Sequence, residues 1–113
     1  MSQSVMTERM RVEEAVTRFF QMCNSHCPGN VAPLLTADAE VLDARAARGP
    51  EGVHSYLVWL WQTCPDLTFR VEHILVDGHM AAAEVLVEAQ GECRRRCVLF
   101  QFRDGLIRRM RWY

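Results

Sequence analysis

Three short signals in the second half of the chain, Asp77-Gly78, Gln90-Gly91 and Asp104-Gly105, constrain the fold more than any other feature. Each supplies the positive-φ backbone that a tight hairpin needs, and between them the residues follow a period of two. The chain from Leu67 onward is therefore expected to form four antiparallel strands. With Gln90-Gly91 as a two-residue turn, the central hairpin has a defined register. Val85 faces Arg96 and Val87 faces Arg94, with Val98, Phe100 and Phe102 continuing the row.

The first half has a different rhythm. Val12, Ala15, Val16, Phe19, Phe20 and Cys23 draw one apolar stripe down a helix of about four turns, which must end near Asn24 to His26 before Cys27-Pro28-Gly29-Asn30. Asn30 can cap a short second helix, Val31 to Leu35, in which Pro33 is tolerated in the first turn. Ala39 to Ala46 reads as a strand broken by Gly49-Pro50. Val53, Tyr56, Leu57, Leu60, Trp61 and Cys64 then repeat the helical stripe until Pro65-Asp66. Helices ahead of most of the strands define an α+β class, in which no parallel crossover is expected and no Gly-rich phosphate loop is seen.

At 113 residues, half of them apolar, the chain is expected to be one domain over 1–113 with a flexible segment at 1–6. A domain of this size buries only about two thirds of its unfolded surface, so self-association would add useful burial. The net charge of −1 hides an asymmetry: Met1–Gln90 carry 6 Arg against 12 acids, and Gly91–Tyr113 carry 7 Arg against 2. Because that basic end alternates along strands, its arginines divide between two faces, and nucleic acid is not an expected partner. The opening residues MSQSVMTERM contain no apolar run of signal-peptide or membrane-spanning length, so a cytoplasmic protein without a membrane partner is expected. The five cysteines, an odd number without a C-x-x-C pair, read as reduced thiols. Cys23, His26 and Cys27 lack a fourth ligand for zinc, and Cys93 and Cys97 are too far apart along one strand for a disulfide. Neither metal nor cofactor is expected.

In order and spacing, VTRFF, LLTADAEVLDA, HSYL, CPDLTF, ILVDGHM and FQFRDGLIRRMRWY resemble the SnoaL-like polyketide cyclases and the ketosteroid isomerase-like family. Limonene epoxide hydrolase and nuclear transport factor 2 share that fold, and the resemblance covers nearly the whole chain. It implies a cone-shaped curved antiparallel sheet wrapped by three helices, a cystatin-like roll enclosing an apolar pocket. It also implies a homodimer through the outer sheet face, where Glu84, Leu86 and Glu88 lie beside Cys97, Leu99 and Gln101. The family's general-base aspartate falls on Asp43. Its oxyanion-holding tyrosine falls on Phe19 and its second donor, a protonated aspartate, near Val98, so both donors are missing. Each such donor commonly contributes about 10²-fold or more, which argues against steroid-type enolisation by the family's own machinery.

Asp43 carries the chemistry in this reading. On a strand face shared with Ala39 and Val41 its carboxylate would be desolvated and its pKa raised, as suits a general acid or base; alternatively it caps a turn or pairs with Arg45 or Arg48. Arg96, in the row of Val85, either reaches the pocket mouth to hold a substrate carboxylate or to pair with Asp43, or sits solvated on the rim. His73, in the row Leu67, Phe69, Val71, His73 and Leu75, is a candidate catalytic partner unless a bulge turns it outward. Ligand contacts are expected from Phe19, Tyr56, Leu57, Trp61, Phe69, Val85, Val98, Phe100, Met110 and Trp112. Trp59, off its helix stripe, suits a partner surface or a pocket lid.

Two functions follow. The first is an enzyme, an isomerase or polyketide-type cyclase acting on a small hydrophobic molecule with Asp43 as general acid or base. The second is a noncatalytic ligand-binding or dimerisation module, supported by the missing donors at Phe19 and Val98. The fold alone does not choose between them.

Overall fold

The structure, a computed structural model, describes residues 7–113; the segment 1–6 lies outside the described residues. Helix α1 (Glu8–Asn24) starts where the Thr7 hydroxyl accepts the Met10 N–H at 3.2 Å, an N-cap that satisfies one orphan donor of the first turn. Its stripe of Val12, Val16, Phe19, Phe20 and Cys23 is buried as the spacing requires. Beyond it, two 3₁₀ turns (Pro28–Asn30 and Ala32–Leu34) stand where a short helix Val31 to Leu35 is expected, because the first strand already begins at Leu35 and leaves only a short turn before it.

Strand β1 (Leu35–Leu42) begins and ends earlier than expected, and a bend at residues 43–45 separates it from the short β2 (Ala46–Arg48). Gly49 (φ 71) makes the corner into helix α2 (Gly49–Thr63), and Pro50 occupies its first turn. The four strands β3 (Thr68–Asp77), β4 (Met80–Ala89), β5 (Glu92–Arg103) and β6 (Leu106–Trp112) then form the expected antiparallel meander. In the central hairpin Val85 pairs with Arg96 and Val87 with Arg94, and Gln90 and Gly91 both have positive φ (56 and 77). The predicted register holds.

Six strands form one sheet in the order β2-β1-β6-β5-β4-β3. The sheet is mixed, since β1 and β6 run parallel, whereas no parallel pairing is expected from the sequence. Period-two patterning says that a segment is a strand but not which distant strand it joins. Here the whole of α2 and the meander intervenes, ample chain for a crossover. The helices lie over one face, where Val16, Phe20, Val53, Val85, Val98 and Phe100 form the centre of the core. Edge-to-face contacts among Phe19, Phe20 and Phe100, at 5.2 to 6.0 Å, tie α1 to the sheet. Asn24, the last residue of α1, clips the edge strand β3. Its Nδ2–H donates to the Phe69 carbonyl and its Oδ1 accepts the Phe69 N–H, both at 2.7 Å.

A register shift falls between Val71 and His73: Val71 pairs with Val85, but His73 pairs with Glu84, so Glu72 is an extra residue on β3. Such a bulge reverses the faces beyond it. Ile74 and Val76 therefore pack against the core while His73 and Leu75 turn to solvent.

Candidate functional site

A cavity of about 80 Å³ lies between the helices and the sheet. That is well above the roughly 10–15 Å³ a cavity needs to admit one water, and leaves room for a compact organic group. Its walls are apolar: Phe19 and Cys23 from α1, Val53, Leu57 and Leu60 from α2, and Phe69, Val87, Met110 and Trp112 from the sheet. The polar groups Asp43, Tyr56 and Arg96 complete the lining.

Asp43 sits one residue beyond the end of β1. Its backbone N–H donates to the Arg45 carbonyl at 3.0 Å, which fixes the bend. From there its side chain, 17% exposed, enters the lining on the side of Ala39 and Val41. Arg96 meets it as a fork, with Nη2–H donating to Oδ1 at 2.9 Å and Nη1–H to Oδ2 at 3.1 Å. The Arg96 Nε–H donates to the Tyr113 carbonyl at 3.1 Å, and the guanidinium lies 5.2 Å from the Trp112 ring centroid. Tyr56 adds a hydroxyl that donates to Asp43 Oδ2 at 3.4 Å. The end of β1, the strand β5 and the helix α2 thus converge on a single carboxylate.

The electrostatics of Asp43 correct the sequence expectation of a raised pKa. Desolvation is the largest single influence and does push the value up. The Arg96 hydrogen bonds, a bond from the Ala44 backbone N–H, the Arg96 charge and the Tyr56 hydroxyl together outweigh it, and the net shift is downward. Asp43 is therefore a carboxylate at neutral pH, able to accept a proton but holding none to give. Tyr56 has the opposite character. Burial first, and the neighbouring Asp43 charge second, push its hydroxyl up to about 12, so it remains a protonated donor. Burial also pushes the Cys23 thiol well up, which leaves it neutral in the cavity wall.

Of the ligand contacts expected from sequence, Phe19, Tyr56, Leu57, Phe69, Met110 and Trp112 line the cavity. Trp61, Val85, Val98 and Phe100 do not; they are packed into the core beneath it, and Val85, Val98 and Phe100 have no exposed surface. Val85, Val98 and Phe100 are on the sheet, and Trp61, on α2, stacks on the His26 ring at 5.0 Å instead of lining the cavity. His73 is excluded from the site. The β3 bulge leaves its side chain 75% exposed, with Nδ1 2.9 Å from a Glu84 carboxylate oxygen on the outer face. Sequence reasoning missed Cys23, Val41, Val53, Leu60, Leu67 and Val87 as lining residues, although Cys23, Val53 and Leu60 belong to the recognised helix stripes and Val41, Leu67 and Val87 to the recognised strand rows. Arg45, a pairing partner for Asp43 in the sequence reading, instead stacks its guanidinium 4.1 Å over the Trp59 ring, and Arg96 takes the carboxylate.

The comparisons with known proteins agree with this architecture. A family model for the SnoaL-like domain matches residues 16–110. The chain belongs to the SnoaL-like domain family. No curated protein matches it. Among solved structures, a candidate polyketide cyclase from Sinorhizobium meliloti is similar with a TM-score of 0.83 at 18% identity, over 88% of this chain and 94% of that one. A candidate ketosteroid isomerase from Kribbella flavida superposes with a TM-score of 0.82 at 22% identity, over 96% and 80% of the two chains. A cystatin-fold protein from Novosphingobium aromaticivorans gives 0.80 at 16%, over 91% and 97%. At these identities the solved structures establish the fold alone. Among the described residues of this SnoaL-like domain, no helix is long and apolar enough to cross a membrane.

Proposed function

We propose that this SnoaL-like domain binds a small hydrophobic carbonyl compound in the cavity and moves a proton with Asp43, as an isomerase or polyketide-type cyclase that needs no cofactor. One observation carries the reading: the single carboxylate lining an apolar cavity is held there by Arg96 and Tyr56 rather than left to solvent. In this scheme Asp43 accepts a proton from the carbon next to the ligand carbonyl, and the Tyr56 hydroxyl, which donates to Asp43 Oδ2 in the free protein, turns its one O–H to the developing enolate oxygen as that carboxylate is protonated. Proton return from Asp43 to a different carbon completes an isomerisation, whereas attack of the enolate carbon on a second carbonyl of the same ligand, with the Asp43 proton passing to the alkoxide so formed, completes a cyclisation.

A noncatalytic ligand-binding role is the second reading. It is favoured by the apolar residues Phe19 and Val98 at the positions of the family's two oxyanion donors, and by the hold of Arg96 on the carboxylate, which weakens it as a base. Deuterium uptake next to the carbonyl of a small cyclic ketone in heavy water, followed by proton magnetic resonance, separates the two. Under the catalytic reading Asp43→Asn slows exchange by about 10²-fold or more while ligand affinity is retained. Equal exchange by the two proteins leaves only the binding role.

We further place self-association on the outer sheet face, as a homodimer in a cytoplasmic setting. Leu75 is 71% exposed and Met80 40% exposed on that face, and Leu75, Ala82 and Leu99 are cross-strand neighbours. A sedimentation mass of one chain at micromolar concentration would remove this part of the reading.

A further inference from the structure

We propose that the ligand of this cavity carries a carboxylate, anchored at the mouth by Arg45, with its apolar body in the hollow; the inference rests on the reading of the cavity as a ligand site. Arg96 is the cation that the sequence offers for holding a substrate carboxylate, but three of its five N–H donors are engaged and its charge is answered by Asp43. Both terminal nitrogens engage Asp43, and Nε–H engages the Tyr113 carbonyl. Asp43 is the one carboxylate among the described residues that line the cavity, so the pair is neutral as a unit.

Two further arginines, Arg45 and Arg94, neighbour lining residues without lining the cavity themselves. Arg45 lies two residues from Asp43, its carbonyl accepts the Asp43 N–H, and its guanidinium rests on Trp59. The Trp59 ring centroid is in turn 6.0 Å from that of Tyr56, a lining residue. Among the described residues, no carboxylate oxygen lies within 4.0 Å of the Arg45 nitrogens. A guanidinium stacked on an indole keeps its N–H donors at its edge, free to meet a carboxylate as a fork. Arg94 adds to the field: it pairs with the lining residue Val87 and, two residues from Arg96 on an unbroken stretch of β5, shares its face.

The walls select the rest of the molecule. They offer aliphatic and aromatic surface and a neutral thiol, with no charge deeper than Asp43. A cationic ligand would meet Arg45 and Arg94, and a neutral one would leave both unanswered. An acid with a compact apolar body satisfies rim and hollow together.

Titration calorimetry with hexanoate and hexanamide, two ligands of one shape that differ in charge, tests the inference. The wild-type protein is expected to bind hexanoate about tenfold or more tightly than hexanamide. Arg45→Gln is expected to reduce hexanoate to the level of hexanamide and to leave hexanamide unchanged. Circular dichroism verifies that this exposed substitution leaves the fold intact. Equal binding of the two ligands by the wild type, or an unchanged preference in Arg45→Gln, overturns the carboxylate anchor alone. Absence of binding by both ligands at millimolar concentration overturns the cavity reading and the anchor with it.

Discussion

Replacing Arg96 with Met exposes the balance at Asp43 directly. In the native protein burial raises the carboxyl pKa, and the Arg96 bonds and charge bring it below the ordinary value. Met fills similar space on Trp112 but removes both contacts to the carboxylate, leaving the Ala44 N–H and the Tyr56 hydroxyl against desolvation. The pKa of Asp43 is then expected to rise above the ordinary value of about 3.9. Both partners are partly accessible, with side chains 17% and 27% exposed, so the loss is that of a half-buried pair, about 1–3 kcal/mol at neutral pH. At roughly 2.1 cal/mol/K per residue of unfolding entropy, that lowers Tm by about 4–12 °C.

The sign of the pH dependence follows. In the wild type the depressed Asp43 pKa contributes stability that is present above the unfolded value and lost as pH falls through the folded value. In Arg96→Met the raised pKa makes the carboxylate a liability at neutral pH, relieved as protonation proceeds. The two stabilities should therefore converge toward about pH 4 and below. Urea denaturation across pH, with a carbon-13 titration of the Asp43 carboxyl, measures both quantities. A variant in which Asp43 still titrates below its ordinary value, or a stability gap that does not change with pH, refutes the reasoning.

Asn24→Ala removes two buried-side hydrogen bonds to Phe69 and is expected to cost about 1–3 kcal/mol, with amide exchange at Phe69 accelerated more than at Val85 in β4. Cys23 is buried with its thiol pushed up in pKa, while Cys27, Cys93 and Cys97 are exposed. Brief alkylation of the native protein is therefore expected to label those three and spare Cys23, and mass mapping that finds Cys23 modified at the same rate would contradict the packing.

Legibility from sequence followed locality. The Gln90-Gly91 turn and its flanking alternation fixed the pairing of Val85 with Arg96 because both partners lie within one hairpin. The stripe of Val12, Val16, Phe19 and Phe20 was equally plain, since a single helix face supplies it. The bulge at Glu72 was not, because an inserted residue leaves the composition of the strand unchanged and reveals itself only in the partner's register. It sent His73 outward and removed it from the site. The parallel pairing of β1 with β6 joins segments more than sixty residues apart, for which no short-range pattern exists. Asp43 was placed on the correct side of the chain. Its pKa direction was missed because burial is readable from neighbours in sequence, whereas the opposing guanidinium arrives from β5.

Two physical demands meet at Arg96. A carboxylate at the neck of an apolar cavity needs a cation to hold it there ionised, and a base needs to be free of that cation when it accepts a proton. Each unit by which the pairing lowers the Asp43 pKa removes about 1.4 kcal/mol of driving force for proton abstraction. Under the proposed reading a ligand carboxylate at the rim bears on both demands, because it is a second acceptor for the two Arg96 N–H donors that Asp43 and Tyr113 leave free. Any loosening of Arg96 that it causes leaves desolvation, already the largest influence on Asp43, less opposed. The base would then strengthen only with ligand in place. That coupling requires Asp43 in the Arg96→Met protein to titrate higher than in the free wild type and to respond less to hexanoate, a comparison that the same carbon-13 measurement makes.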